Sequence, residues 1–322
     1  MKAKQLNCDE TPCLPNTADT LDWPAIEQAF KNARRKITPV NAADLDLLVK
    51  YGTKEVPSRG GIILFGTNRL NLFPDAIIRC VRFYGTSKAR VIDHRDITAY
   101  PVDALEEAIA FVERNTFLAA QIGRIYREDI PQYPPEALRE AITNAIVHTD
   151  YALKGTSIMI AIFDNRIEIT NPGGLPLGMT LERALRGSSR VRNRVIARVF
   201  KELKLIEQWG SGIQRIIASC AKHGLQTPVF EDFSIEFQVT LYGTPSKEHV
   251  HEEKIDSTQQ PIVEFLRKKK RISTQEAASL WNVTVRSSRD RLKKMVSAGL
   301  ITKMSSSRTD PHSYYVLHKN LQ

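Results

Sequence analysis

Apolar positions along the chain recur with either a helical or an alternating period, and each predicts a different element. The clearest helical stretch is 133–151, where Leu138, Ala141, Ile142, Ala145 and Ile146 form one apolar stripe. Pro134 and Pro135 open it, since proline presets φ and lacks the N–H that a first helical turn leaves unpaired. Helical patterns also cover 25–36, 41–51, 102–121, 181–186 and 213–221, the last stopping at Gly224. Alternation predicts strands at 77–84, at 234–242 closing a sheet, and in a hairpin of 157–163 with 166–170 about Asp164-Asn165. The short apolar run 60–66 reads as a buried strand.

Residues 245–260 are polar and read as a linker. Beyond them Ile262, Val263, Phe265 and Leu266 mark a helix, and Ser273-Thr274-Gln275-Glu276 is a capping box for a second. A third helix, 284–298, is expected to bury Val285, Leu292, Met295 and Val296. Strands at 301–304 and 314–317 flank a polar tip at 305–310, so this end predicts a winged helix.

Opposite the apolar stripe of 133–151 lie Glu140, Asn144 and His148, each one turn from the next. Plain solvation is the ordinary reading of such a face. Against it, Asn is a poor mid-helix residue, and the Lys/Glu pairs of a solvent side are missing. A Glu one turn before an Asn suits a magnesium nucleotide. The Asn carbonyl is a hard oxygen ligand for Mg²⁺, which takes only a few protein ligands, and the Glu could orient or deprotonate water. Two glycine loops sharpen this reading. Asn171-Pro172-Gly173-Gly174 follows the hairpin, and Gly210-Ser211-Gly212 opens a helix, where backbone N–H groups can approach phosphate.

With these motifs in this order, residues 133–243 resemble the ATP-binding module related to the gyrase, Hsp90, histidine-kinase and MutL ATPases. The chain also resembles transcriptional regulators that carry a Schlafen-type AlbA domain in front of that module. The likeness rests on P-P-E-A-L-R-E-A-I-T-N-A-I-V-H-T-D-Y, I-F-D-N-R-I-E-I-T-N-P-G-G-L-P, R-N-R-V-I-A-R-V-F and I-E-Q-W-G-S-G-I-Q-R-I. Upstream, G-G-I-I-L-F-G and I-R-C-V-R-F-Y-G-T-S-K match the segment joining the AlbA core to the module. The resemblance implies an α/β sandwich that binds ATP with Mg²⁺. Glu140 would activate water and Asn144 would hold magnesium. His148, Asp150 and Asn171 would contact nucleotide, with Gly173 and Gly174 in the first glycine box and Gly210, Ser211 and Gly212 in the second. Arg192 and Asn193 fall where relatives carry a lid over the phosphates; a solvated basic turn is the competing reading. One departure bears on adenine recognition: the wider superfamily has an Asp at the start of the first box, and this chain has Asn171.

The expected organisation is an α/β region over 1–130 retaining little of the AlbA core, the ATP-binding module over 131–243, a linker over 244–257 and a winged helix over 258–322. Composition is that of a globular protein, with 42% hydrophobic and 25% charged residues among 322. No apolar run approaches the ~20 residues that span a bilayer, and no signal peptide pattern opens the chain, so a cytoplasmic protein without a membrane partner is expected. Cys8, Cys13, Cys80 and Cys220 lack zinc or C-x-x-C spacing; Cys80 and Cys220 read as small buried hydrophobes. Gly85-Thr86-Ser87-Lys88 lacks the first glycine of a phosphate loop and reads as a turn, and His94 has no spaced partner for a metal.

Charge adds a partner. The net charge is +10, and residues 256–322 hold 13 Lys/Arg against 5 Asp/Glu, so the excess lies mainly in the C-terminal module. Double-stranded DNA is the expected ligand there. Arg286, Ser287, Ser288 and Arg289 would reach base edges, and Lys293, Lys294 and Arg308 the backbone. Winged-helix regulators commonly pair on two half-sites, so a homodimer is expected. Three functions stay open: an ATP-responsive DNA-binding regulator, a weak ATPase coupled to DNA, and a scaffold that binds no nucleotide. Helicase action is not expected, because the chain has no Walker lysine and no paired motor domains.

Overall fold

The structure is a computed structural model and describes residues 7–122, 127–206, 210–243, 258–297, 300–304 and 313–317. The chain divides into two compact units, 1–244 and 245–322.

In the first unit, α1 (Trp23–Asn32) starts at Asp22, whose carboxylate accepts from the Ala25 N–H at 3.0 Å. The segment expected as one helix over 41–51 is divided. Helix α2 (Pro39–Asp44) ends before Asp46, whose φ of 56° turns the chain out of the helix, and β1 (Leu48–Tyr51) then pairs with β2 (Lys54–Pro57). The expected strand at 60–66 is also corrected: it is helix α3 (Arg59–Phe65), capped by Ser58 Oγ accepting from the Gly61 N–H at 2.9 Å. Every residue from Gly60 to Phe65 is buried. An element buried all round shows no amphipathic period, so a short apolar run cannot separate strand from helix.

After α4 (Arg69–Leu72) come β3 (Ile78–Phe83), close to expectation, and β4 (Val91–Ile97). The helix expected over 102–121 is α5 (Pro101–Arg114) only; Leu118–Ile122 is strand β5, paired with β6 (Arg127–Pro131). Helix α6 (Pro135–His148) buries its whole apolar stripe. Burying Leu138, Ile142 and Ile146 stabilises by about 1.5–3 kcal/mol each relative to exposure, which anchors the polar face on the other side of the helix. The hairpin is β7 (Ile158–Ile162) and β8 (Arg166–Pro172). Then follow α7 (Leu181–Leu185), α8 (Arg194–Glu202), α9 (Gly212–Lys222), β9 (Val229–Asp232) and β10 (Glu236–Tyr242).

One six-stranded mixed sheet runs β4-β3-β7-β8-β10-β9, with β3 parallel to β7 and the other neighbours antiparallel. The edge beyond β8 is therefore β9, where β10 was expected. Helix α5 lies over β3 and β4, α6 over β8, and α9 against α6. Ile78, Cys80, Ile160, Ile169 and Leu241 of the sheet enter one core with these helices. This is the mixed α/β fold expected. Its core takes residues from both sides of position 130, so packing is continuous there. The four cysteines are free, with Cys13, Cys80 and Cys220 buried.

The second unit contains α10 (Gln260–Lys269), β11 (Ile272–Ser273), α11 (Thr274–Trp281), α12 (Val285–Ser297), β12 (Ile301–Met304) and β13 (Tyr314–Leu317). Its antiparallel sheet runs β11-β13-β12, and Ile262, Leu266, Leu292, Met295 and Leu317 form a separate core. The capping box is formed: the Glu276 N–H donates to Ser273 Oγ at 3.2 Å, and the Ser273 N–H to Glu276 Oε2 at 2.8 Å. Val285 and Val296 are exposed, against expectation. Val285 stands at the first helical residue, and Val296 lies about 100° round the helix from buried Met295. The linker 244–257, the polar tip 305–310 and Arg308 lie outside the described residues. Among the described residues no helix is long and apolar enough to cross a membrane.

Candidate functional site

The polar face of α6 lines a cleft. Glu140, Asn144 and His148 form one wall of a cavity of about 450 Å³, within the size range of small-molecule sites. Ile169 and Asn171 of β8, with Gly173 and Gly174 after it, form a second wall. Gly210 and Gly212 at the start of α9 form a third, and Ser188 to Arg190, Arg194 and Arg198 a fourth. The two glycine loops thus meet the Glu/Asn face on one concave surface, and plain solvation does not describe that face.

Glu140 is held from two sides. Arg215 of α9 donates to its Oε2 at 2.7 Å, and Asn144 Nδ2 donates to its Oε1 at 3.2 Å. Asn144 thereby turns its carbonyl oxygen into the atom it can offer a cation, which suits Mg²⁺. Gly212 packs directly on this pair: a Cβ would lie 2.2 Å from Glu140 Oε1 and 3.1 Å from Asn144 Nδ2, so the carboxylate would have to move to admit one. Gly210, at φ 67°, packs on the Gly187 carbonyl, 2.4 Å from where a Cβ would stand. The second loop is therefore seated against both the acid and the turn that follows α7.

His148 is neutral at ordinary pH. Burial first, and the Arg192 charge second, push its pKa down to about 4. Asn171 is buried, with Nδ2 donating to the carbonyls of Pro172 at 3.2 Å and Gly173 at 3.3 Å. That orientation leaves Oδ1 as the acceptor atom.

Asp150, Arg192, Asn193 and Ser211 do not line this cleft. Arg192 pairs with Asp150 at 3.1 Å and donates to the Gly174 carbonyl, behind the first glycine box. Asn193 is buried, and Nδ2 donates to the carbonyls of Val147 at 2.9 Å and Thr149 at 2.7 Å, so it ties off the end of α6. The arginines facing the cleft are Arg190, Arg194 and Arg198; Arg194 ends the basic run 192–194 expected at the lid, and Arg198 was not singled out from the sequence. Arg194 pairs with Glu10 at 3.6 Å and Arg198 with Asp46. For Arg198, its place one turn after Arg194 on α8 was the available signal. Among the described residues no three of His, Cys, Asp and Glu converge on a metal.

In the second unit, Arg286, Arg289, Lys293 and Lys294 are exposed on α12. Ser287 is half-buried. Ser288 is a correction to its expected contact with bases: it is fully buried, and its hydroxyl donates to the Thr274 carbonyl at 3.1 Å, binding α12 to α11. Arg291, one turn before Met295, instead stands over the Trp281 ring at 5.6 Å and shares a shallow hollow with Arg286 and Lys294.

The profile of the family described as "Putative ATP-dependent DNA helicase recG C-terminal" matches residues 155–241. An ATPase-like module is therefore indicated over that stretch, which holds both glycine loops and begins after Glu140 and Asn144. No curated protein matches the chain. Among solved structures, the DIP2311 protein from Corynebacterium diphtheriae is similar, with a TM-score of 0.58 and 18% identity. The likeness covers 98% of this chain and 65% of that one, so the chain spans about two thirds of that protein. At this identity the likeness is one of fold.

Proposed function

We propose that the chain is an ATP-responsive, DNA-binding regulator. The observation that supports it is the convergence of Glu140, Asn144 and both glycine loops on one cleft of about 450 Å³. Asn144 would hold magnesium through its carbonyl oxygen, the N–H groups about Gly210 and Gly212 would face phosphate, and Asn171 Oδ1 would accept from the base. When bound, magnesium supplies charge neutralisation at the phosphates. Glu140 lies one turn from Asn144, where it could orient a water. The second unit, read as a winged helix, would use Arg286 and Arg289 toward bases and Lys293 and Lys294 toward phosphates. A homodimer would present two such helices to two half-sites.

Calorimetry of the full chain with ATP, with and without Mg²⁺, tests the first half. Binding that strengthens with Mg²⁺ in wild type and loses that dependence in Asn144→Ala is expected. Turnover abolished by Glu140→Gln with ATP still bound would shift the reading to a DNA-coupled ATPase. Absence of any ATP-induced rise in Tm at millimolar concentration leaves the scaffold reading.

A further inference from the structure

Arg215 takes no part in the reading above, yet it makes the shortest described contact to Glu140. Its guanidinium donates to Oε2 at 2.7 Å, and the two side chains are only 27% and 12% exposed. Charge-assisted and half-buried, this pair is stronger than a surface ion pair. Arg215 also lies one turn after Gly212 on the same helix, and a Cβ on Gly212 would stand 2.2 Å from the other oxygen of the same carboxylate. An anion taken up by the Gly210–Gly212 loop would therefore arrive beside the Glu140 carboxylate, and like charges at contact distance repel.

We infer that Arg215 is the positioning residue that makes Glu140 compatible with a phosphate at this loop. The helix that would receive the anion carries the cation that cancels the carboxylate next to it. Arg215 also fixes Oε2, so that Glu140 keeps one orientation with Oε1 toward Asn144. This rests on the nucleotide reading of the cleft, with a triphosphate as the anion. Two other roles for Arg215 are conceivable, direct contact with phosphate or a purely structural tie, and each gives a different result below.

The test compares full-length wild type, Arg215→Met, Arg215→Lys, Glu140→Gln and the Arg215→Met/Glu140→Gln double variant. Binding of Mg·ATP and of adenosine, which lacks phosphate, is measured by calorimetry, and thermal unfolding is followed without ligand. Arg215→Met should weaken Mg·ATP by roughly tenfold or more while adenosine stays within about twofold, because only the anion meets the uncancelled carboxylate. Adding Glu140→Gln should return ATP affinity close to that of wild type, and Arg215→Lys should keep most of it. Failure of the double variant to recover means that Arg215 touches phosphate itself, and equal losses for ATP and adenosine mean a structural role; either overturns the inference. Should wild type bind neither ligand, the nucleotide reading fails by itself. The charge balance is then decided with inorganic triphosphate alone, whose binding Arg215→Met must weaken roughly tenfold and the double variant must recover. Additive losses there, or a wild type that binds no triphosphate, overturn it.

Discussion

The cleft of the first unit and the outer face of α12 in the second are both rich in charge, and they hold it in opposite ways. In the cleft, Glu140 is paired with Arg215, Arg194 with Glu10 and Arg198 with Asp46, and the acids are partly or fully buried. On α12, Arg286, Arg289, Lys293 and Lys294 are exposed. Paired, desolvated charge defines positions to within a bond length and is weakly screened by salt. Exposed charge sets a field that any polyanion feels and that salt removes. The first arrangement suits a small ligand of fixed shape, and the second suits a phosphate backbone.

Salt is the sharpest way to break that comparison. If the four α12 cations each release about one counterion, DNA affinity falls roughly 100-fold between 50 and 200 mM salt. Mg·ATP affinity should change by only about twofold to fivefold over the same range, because Glu140 and Arg215 are paired and largely buried where the phosphates would sit. Anisotropy with a labelled duplex and calorimetry with ATP give the two slopes. Equal slopes would show that the cleft is an open electrostatic surface too.

A single methyl probes the cleft's geometry. Gly212→Ala places a Cβ against a Glu140 carboxylate that Arg215 pins, so the acid must swing or α9 must shift. We expect Mg·ATP affinity to fall at least about tenfold, since a displacement near 1 Å at a reacting group has effects of that size or more. DNA binding by the variant should match wild type. Unchanged ATP affinity would mean that the loop and Glu140 do not act as one site.

Much of this cleft was legible, and the reason is local. Pro134-Pro135, the apolar stripe and the Glu140–Asn144 spacing all lie within four turns of one helix, and the glycine loops declare themselves by composition. What was not legible depends on distant partners. Arg215 finds Glu140 across 75 positions and Arg198 finds Asp46 across 152, and no spacing rule reaches that far. Asn193 was expected near phosphate because it falls where relatives carry a lid, yet an amide that meets two helix-terminal carbonyls is drawn inward. In α3, uniform burial erased the contrast by which a helix is recognised.

Acidity separates the two units next. His148 carries a folded pKa near 4 against an ordinary 6.5, so the stability it contributes is complete above pH 6.5 and is lost as pH falls through 4. Asp9 is raised to about 6 from 3.8, chiefly by burial, so its contribution is complete below 3.8 and is lost as pH rises through 6. The two oppose each other between pH 4 and 6, so their contributions largely offset there. His148→Gln should expose a decline with rising pH and Asp9→Asn a rise, each reaching at most about 3 kcal/mol by urea denaturation. In the second unit, Glu276 is held below its ordinary pKa by the Ser273 hydrogen bonds, so its contribution is lost only at lower pH. Parallel curves for all three proteins would refute the assignment.

The smallest effect decides how α12 is oriented. Ser288 lies between Arg286 and Arg289 in a row that reads as base-contacting, but its hydroxyl points inward to the Thr274 carbonyl at 3.1 Å and is fully buried. Removing it leaves that carbonyl without this donor and costs about 1 kcal/mol of stability, while the exposed face with Arg286 and Arg289 is unaltered. Ser288→Ala should therefore lower Tm by a few degrees and leave duplex affinity at low salt unchanged. Arg289→Ala should do the reverse, losing about 1–3 kcal/mol of binding if it reaches a base edge while Tm holds. Measured side by side, these two substitutions fix which side of the helix faces nucleic acid. A Ser288→Ala protein of wild-type stability and weakened DNA binding would mean that the opposite side does.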